Sequence, residues 1–257
     1  MSARPKPPKA SLPRLKRATR QSKLMQLPTR NTTRPSPDML LGHVQDWRGT
    51  VERVDPARIL RVHKYRDQSK VKQTIIDAAQ RASEEALTLC EISAKYIVKS
   101  IDYIDSEGLT LLDGTRFNNP AFERHLEGCD KLLAFVATIG PALDNRVVHL
   151  INDKFEPLDA LFLETTGWLT IETATKTIAR ELKTALSQCD YGLSLRMGPG
   201  YEYALPGTNR HVRWNLEEQR ELFDLFGNTD LPATLMDSCV MQPKMSRSGI
   251  YGLRPRH

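Results

Sequence analysis

Two short stretches, Leu195-Arg196-Met197-Gly198-Pro199-Gly200-Tyr201 and Ser246-Arg247-Ser248-Gly249-Ile250-Tyr251-Gly252, decide how the rest of the sequence is interpreted. In the first, an arginine precedes two glycines and a proline, which are typical of a loop whose backbone can approach a ligand closely. The Arg196 guanidinium can pair with a carboxylate through two hydrogen bonds, and Tyr201 can stack on a flat group or donate its hydroxyl. The stretch suits a small anionic ligand with a flat part, although a tight turn beside an exposed arginine would use the same residues.

The two stretches belong to a longer ordered pattern. Arg-x-x-Pro-Gly-Tyr is followed by Trp214-Asn-Leu-Glu-Glu-Gln-Arg-Glu-Leu-Phe and then by Asp237-Ser-Cys-Val-Met-Gln-Pro-Lys-Met-Ser-Arg-Ser-Gly-Ile-Tyr251. This order resembles the activation domain of cobalamin-dependent methionine synthase, in particular the family members that exist as separate, short proteins. The resemblance covers roughly residues 70–253 and is strongest from residue 196 onward.

The resemblance implies a domain that binds S-adenosylmethionine and presents its methyl group to the cobalamin of methionine synthase after oxidation to the inactive Co(II) state. By position in the motif, Arg196 would hold the ligand's carboxylate, Tyr201 would lie beside it, and Tyr251 would lie near the adenosine. Glu172 corresponds to a family glutamate near the ligand. The implied ligand-binding residues are Arg196, Gly198, Gly200, Tyr201, Tyr251 and Glu172.

Four features depart from the family pattern. The segment 202–213 is an insertion between the loop tyrosine and the tryptophan, and it could reshape the rim that meets the corrinoid. Gly198 replaces a small Ser or Ala, and Gly252 replaces an aromatic residue of longer relatives, so adenine packing could differ. The family's aspartate that binds the ligand's amino group has two candidates here, Asp67 and Asp77.

Methyl transfer from a sulfonium to Co(I) is a direct displacement that needs positioning and no protein acid, base or metal ligand. We therefore expect no catalytic residues and no metal site. This agrees with four dispersed cysteines and with the absence of a Gly-x-Gly-x-x-Gly loop.

The cobalamin-binding signature Asp-x-His-x-x-Gly does not occur in the sequence. The resemblance thus implies that cobalamin is reached only through a partner. That partner would be a methionine synthase or another corrinoid protein, served by an electron donor that is flavodoxin-like or similar. The chain would then act as one component of a methyltransferase, and an adaptor with a degenerate ligand site is the alternative.

Charge is distributed unevenly along the 257 residues. Residues 1–37 hold ten Lys or Arg, seven prolines and no Asp or Glu, so the remaining 220 residues sum to −4 within a net charge of +6. We predict a disordered basic arm over 1–45, because few large apolar groups offset the entropy of ordering it. The arm could contact nucleic acid, an acidic partner or anionic lipid, act as a targeting peptide, or have no strong role. Nucleic acid is expected only through the arm.

Hydrophobic patterning predicts an α+β fold for 46–257 with a mixed or antiparallel sheet. The family resemblance implies that this part is a single curved domain in which helices flank the sheet. No window is apolar enough to span a membrane, and the separated cysteines favour the cytoplasm. The predicted helices are 69–101, one turn at 122–126, 141–152, 158–188 with a break at Gly167, and a helix capped by Asn215 and Glu218 that ends at Gly227. The predicted strands are a hairpin around Asp113-Gly114, then 130–138, 193–196 and 233–241, and 248–253 is predicted to be a last strand or a loop.

Overall fold

The computed structural model describes residues 37–205 and 207–256. Its α-helices are α1 (Pro56–Val62), α2 (Gln73–Leu89), α3 (Phe122–His125), α4 (Ala142–Asn152), α5 (Pro157–Ser187) and α6 (Gln219–Asp224). Its strands are β1 (Gln45–Arg48), β2 (Ser93–Ile104), β3 (Gly108–Leu111), β4 (Arg116–Asn118), β5 (Lys131–Thr138), β6 (Tyr191–Leu193), β7 (Glu202–Ala204), β8 (His211–Arg213), β9 (Thr234–Leu235), β10 (Met241–Gln242) and β11 (Ser246–Pro255).

The predicted α+β class is confirmed by an antiparallel sheet with helices packed against it. Its strand order is β4-β3-β2-β5-β11-β6, with β1 pairing along the first part of β2. Every residue of β5 is buried, as expected of a central strand covered on both faces. β11 pairs with β5 along one edge and with β6 along the other, so the second quoted stretch lies inside the sheet.

Helices α1, α2, α4 and α5 cover one face of the sheet and form the larger hydrophobic core. Alternation along β11 directs Tyr251 and Leu253 into this core, and Ile250 into the other. Gly167 lies where a Cβ would come within 2.8 Å of the Leu143 side chain. The glycine thus permits close packing of α4 on α5, and α5 runs without the predicted break.

The opposite face carries a second core built around Trp214, which is fully buried. The Phe117 and Phe122 rings meet the Trp214 indole edge-on at centroid distances of 5.6 and 4.9 Å. Glu218 accepts hydrogen bonds from the Trp214 Nε1–H at 2.7 Å and from the Asn118 backbone N–H at 2.9 Å. This core fixes the chain on both sides of the loop that ends at Tyr201.

Several predicted elements are confirmed: the hairpin at Asp113-Gly114, the short helix after 121, β5, α4 and β11. The helix predicted over 69–101 is wrong beyond Leu89, because Ser93–Ile104 is a strand that alternates between the two cores. In place of the single strand predicted over 233–241, the chain forms two short strands of two residues each, β9 and β10, which pair with each other. The strand predicted over 193–196 is β6, which ends earlier, at Leu193.

The capping box predicted at Asn215 and Glu218 is wrong. Asn215 makes no side-chain capping bond, and the Glu218 carboxylate is engaged by Trp214 and Asn118. The helix is shorter than predicted and ends at Asp224, although Gly227 follows with a positive φ of 57°.

The predicted arm over 1–45 lies mostly outside the described residues. Within it, Pro37–Leu40 forms a 3-10 helix with Leu40 buried, and the side chain of Asp38 lies 3.1 Å from Lys131 Nζ. Gly42 continues this segment by donating a backbone hydrogen bond to Val98 O at 2.9 Å.

Candidate functional site

The two quoted stretches lie side by side. Met197 N–H donates to Ile250 O at 2.9 Å, and Ile250 N–H donates to Met197 O at 2.7 Å. The Arg196 guanidinium reaches across the same junction and donates from Nη1 to Ser248 O at 3.0 Å. Gly249 permits this approach, because a Cβ there would clash with Met197 O. Residues fifty positions apart in the sequence therefore form one structural unit.

Local interactions hold the loop from Arg196 to Tyr201 in shape. The Arg196 guanidinium stacks over the Tyr201 ring, with 4.7 Å from Cζ to the ring centroid. Gly200 takes a φ of +83°, which favours glycine, and its N–H donates to Trp214 O at 2.8 Å. The Trp214 N–H donates in turn to Tyr201 O at 2.9 Å. The loop is thus tied to the core around Trp214.

Within the insertion 202–213, β7 and β8 pair as a hairpin that contacts the loop from Arg196 to Tyr201. Tyr203 accepts a hydrogen bond from Gly198 N–H at 2.7 Å and donates its hydroxyl to Gly198 O at 3.1 Å. One hydroxyl therefore satisfies both backbone groups of a buried glycine. Burial raises the pKa of Tyr203, so this hydroxyl stays protonated and able to donate at neutral pH.

A cleft of about 290 Å³ opens beside this unit. Helix α5 forms one wall, and the other walls come from the loop that ends at Tyr201, from Leu216 and Gln219, from the segment after β9 and from the start of β11. Trp168 and Tyr201 are each 46% exposed at its rim, so flat apolar surface faces solvent there. The cleft is lined by Trp168, Ile171, Pro199, Tyr201, Leu216, Gln219, Cys239, Val240, Met241, Lys244, Met245, Ser246, Arg247 and Ser248. Its volume lies just below the range for small-molecule sites, roughly 300–1,000 Å³.

The structure brings four of the six predicted ligand-binding residues together in the loop: Arg196, Gly198, Gly200 and Tyr201. Of these, Tyr201 lines the cleft directly. Tyr251 lies behind the loop, 3% exposed, with its ring stacked on Phe135 at 5.5 Å between centroids. Burial raises the pKa of Tyr251 to about 12, against the opposing effect of Arg196 and Arg247. The Tyr251 ring is therefore near both arginines, but it is part of the larger hydrophobic core that α1, α2, α4 and α5 form on the sheet.

Glu172 lies on α5 outside the cleft lining. Its carboxylate pairs with Lys176 at 2.6 Å and with Arg58 at 3.0 Å. The hydrogen bond from Lys176 holds the pKa of Glu172 below its usual range, and Arg58 and Arg247 add to this effect. In this structure Glu172 links α1 to α5.

The two candidates for the amino-group aspartate make local contacts. Asp67 accepts from the Ser69 backbone N–H at 3.1 Å, and Asp77 accepts from Gln73 Nε2 at 2.8 Å. Neither belongs to the cleft lining. Gly252 faces the core around Trp214, because a Cβ there would lie 2.5 Å from Cys129 Sγ. Packing against Cys129 therefore requires the glycine at this position.

Sequence reasoning assigned no role to two residues of this unit. Tyr203 lies in the insertion, where no motif indicated that a hydroxyl would return to Gly198. Arg247 lies inside the quoted stretch and lines the cleft. Its position could have been found from strand alternation, since residues 247 and 251 share a face of β11.

Among residues 37–205 and 207–256, no group of three or more His, Cys, Asp or Glu side chains could hold a metal ion. In the same part of the chain, none of the helices combines the length and apolar character needed to cross a bilayer.

No protein-family model matches the sequence, and no curated protein sequence matches it. Among solved structures, the fold is similar to that of the MetH reactivation domain bound to AdoHcy, with a TM-score of 0.54. The match has 12% sequence identity and covers 85% of this chain and 81% of that chain. The two proteins share a fold at this level of similarity.

Proposed function

We propose that this chain binds S-adenosylmethionine, and its product S-adenosylhomocysteine, in the cleft beside the Arg196–Tyr201 loop. The observation that carries the proposal is the reciprocal pairing of Met197 with Ile250. This pairing supports the proposal because it places side by side the two motif stretches that resemble the activation domain of methionine synthase. The shared fold with a reactivation domain bound to AdoHcy supports the same ligand class.

The residues present fit this ligand. Trp168 and Tyr201 offer flat surfaces at the rim for the adenine, and Met241 and Val240 offer apolar contact for the methionine chain. The free N–H groups of a guanidinium suit the α-carboxylate. In this proposal, Arg196 contacts the ligand from the loop, Gly198 and Gly200 let the backbone approach it, and Tyr251 supports the loop from below.

We further propose that the chain serves as a reactivation module for a separate cobalamin-bearing methionine synthase or related corrinoid protein. In such a transfer, the ligand's carbon–sulfur bond would break with the electron pair left on sulfur, and the partner's reduced cobalt would accept the methyl group. This chain's residues would bind and orient the sulfonium at an open rim. A separate electron donor would supply the reduction, and we place the assembly in the cytoplasm.

Isothermal titration calorimetry with S-adenosylmethionine and S-adenosylhomocysteine tests the proposal. We expect the wild type to show saturable binding. The affinity of Arg196→Ala for both ligands should be lower by about tenfold or more, since a hydrogen bond to a charged group contributes about 1.5–3 kcal/mol. Arg210→Ala, an exposed residue in the β7–β8 turn, is the matched control and should bind normally. Absence of heat and of thermal stabilisation in the wild type would favour the adaptor alternative.

A further inference from the structure

Arg247 occupies a position in the cleft that no motif explains. It lies on β11 two residues after Met245 and four before Tyr251, on the face of the strand that meets α5. Its side chain is partly buried and lines the cleft together with Ile171 and Trp168 of α5. A charged group in this setting is stable only when it is hydrated or paired.

The other cations beside the cleft already have partners. Lys244 Nζ forms an ion pair with Glu164. Arg196 donates to Ser248 O at 3.0 Å and stacks on Tyr201. For Arg247, by contrast, no side-chain hydrogen bond or ion pair occurs within residues 37–205 and 207–256.

Among the described residues, the carboxylate of Glu172 interacts electrostatically with Arg247 but forms no ion pair with it. Glu172 is influenced by Arg247, yet its two oxygens are taken by Lys176 and Arg58 at 2.6 and 3.0 Å. The cleft lining described above contains Lys244 and Arg247 and no Asp or Glu. The cleft therefore favours a ligand that brings its own anionic group.

We propose that Arg247 is a second binding residue of this cleft and recognises the α-carboxylate of the ligand. The assignment rests on the proposed function and adds a residue to it. The planar fork of the guanidinium matches a carboxylate through two parallel hydrogen bonds, an arrangement that Lys cannot reproduce. Arg247 approaches the carboxylate from the β11 side and Arg196 from the loop.

Two ligands separate carboxylate recognition from general support of the cleft. S-adenosylhomocysteine carries the α-carboxylate, whereas 5′-methylthioadenosine has the same adenosine and thioether without it. The dissociation constants of both are measured by calorimetry for wild type, Arg247→Ala and Arg247→Lys. The matched control is Arg180→Ala, which removes an exposed arginine of α5 that does not line the cleft.

We expect Arg247→Ala to weaken S-adenosylhomocysteine binding about 10- to 100-fold and 5′-methylthioadenosine binding less than about twofold. Arg247→Lys should restore part of the affinity for the carboxylate ligand alone. If wild type binds S-adenosylhomocysteine and Arg247→Ala binds it equally well, or loses both ligands equally, the assignment of Arg247 is overturned and the proposed function stands. If wild type binds neither ligand, both are overturned.

Discussion

Replacing Tyr203 by phenylalanine removes one hydroxyl and with it two hydrogen bonds to Gly198, at 2.7 and 3.1 Å. The ring can stay in place, where it meets His125 edge-on at 5.8 Å between centroids. The Gly198 N–H then loses its partner while it remains buried, and Gly198 O keeps only the longer hydrogen bond from Tyr201 N–H, at 3.4 Å. Leaving a buried polar group without a partner costs about 1–3 kcal/mol.

This cost falls on the ordered loop, because Gly198 lies between Arg196 and Tyr201. If about 1.5 kcal/mol is lost from the binding-competent loop, the apparent dissociation constant rises by up to about tenfold, since each 1.4 kcal/mol corresponds to a factor of ten in the population of that loop. Calorimetry with S-adenosylhomocysteine measures this effect directly. Hydrogen exchange of the Gly198 amide should also accelerate, which a general loss of stability alone would not confine to this residue.

The matched control is Tyr103→Phe, which removes a hydroxyl from a tyrosine that is 49% exposed and distant from the loop in the sheet order. It should leave both the dissociation constant and the Gly198 exchange rate unchanged. A Tyr203→Phe protein with wild-type affinity and wild-type exchange at Gly198 would refute the reasoning that the hairpin holds the loop.

Three further substitutions test how the site is supported. Gly249→Ala places a Cβ against Met197 O and should lower the free energy of unfolding by about 1–3 kcal/mol in urea; Gly192→Ala, whose nearest contact would be 3.4 Å, is the control, and equal stability of the two would contradict the account. Glu218→Gln turns an NH2 group toward one of the donors on Trp214 and Asn118 and should cost about 1–3 kcal/mol, whereas the exposed Glu217→Gln should cost little. Glu172→Gln removes a carboxylate whose pKa is lowered in the folded state, so its stabilisation is present above the unfolded pKa of about 4.3 and is lost as the pH falls through the folded value. The variant should be less stable than wild type by about 0.5–1 kcal/mol at pH 7, and this difference should shrink as the pH falls below the folded pKa of Glu172; a difference that stays constant as the pH is lowered would argue against the ion pairs.

The parts of the fold that the sequence predicted correctly depend on short-range signals. Asp113-Gly114 indicates a tight hairpin between two apolar runs, and the hairpin β3–β4 forms there. Pro141 at a helix start indicates α4, and the uninterrupted apolar run over 131–138 indicates a strand buried on both faces. In each case the residues that specify the element are adjacent in the chain.

The errors arise where tertiary packing decides. The end of α2 at Leu89 has no glycine or proline to mark it, and β2 faces two cores, so its apolar residues continue the helical spacing by coincidence. Gly167 indicated a break, yet it lies in a continuous helix because α4 approaches closely there. Glu218 matches a capping pattern, but the buried Trp214 indole competes for its carboxylate.

The same distinction holds for the candidate site. The loop from Arg196 to Tyr201 was recognisable from its residues, and the structure pairs it with the strand that contains Tyr251. Tyr203 was not predictable, because its role depends on how the hairpin of the insertion folds back onto Gly198. The position of Glu172 in an α1–α5 ion pair also depends on Arg58, more than a hundred residues away in the chain.

A crystal structure of the chain grown with S-adenosylhomocysteine tests the central claim most directly. We predict electron density for the ligand in the cleft, with the adenine against the exposed rings of Trp168 or Tyr201 and the carboxylate within hydrogen-bonding distance of Arg196 or Arg247. Density elsewhere on the molecule, or an empty cleft at ligand concentrations that stabilise the protein, would contradict the proposed site.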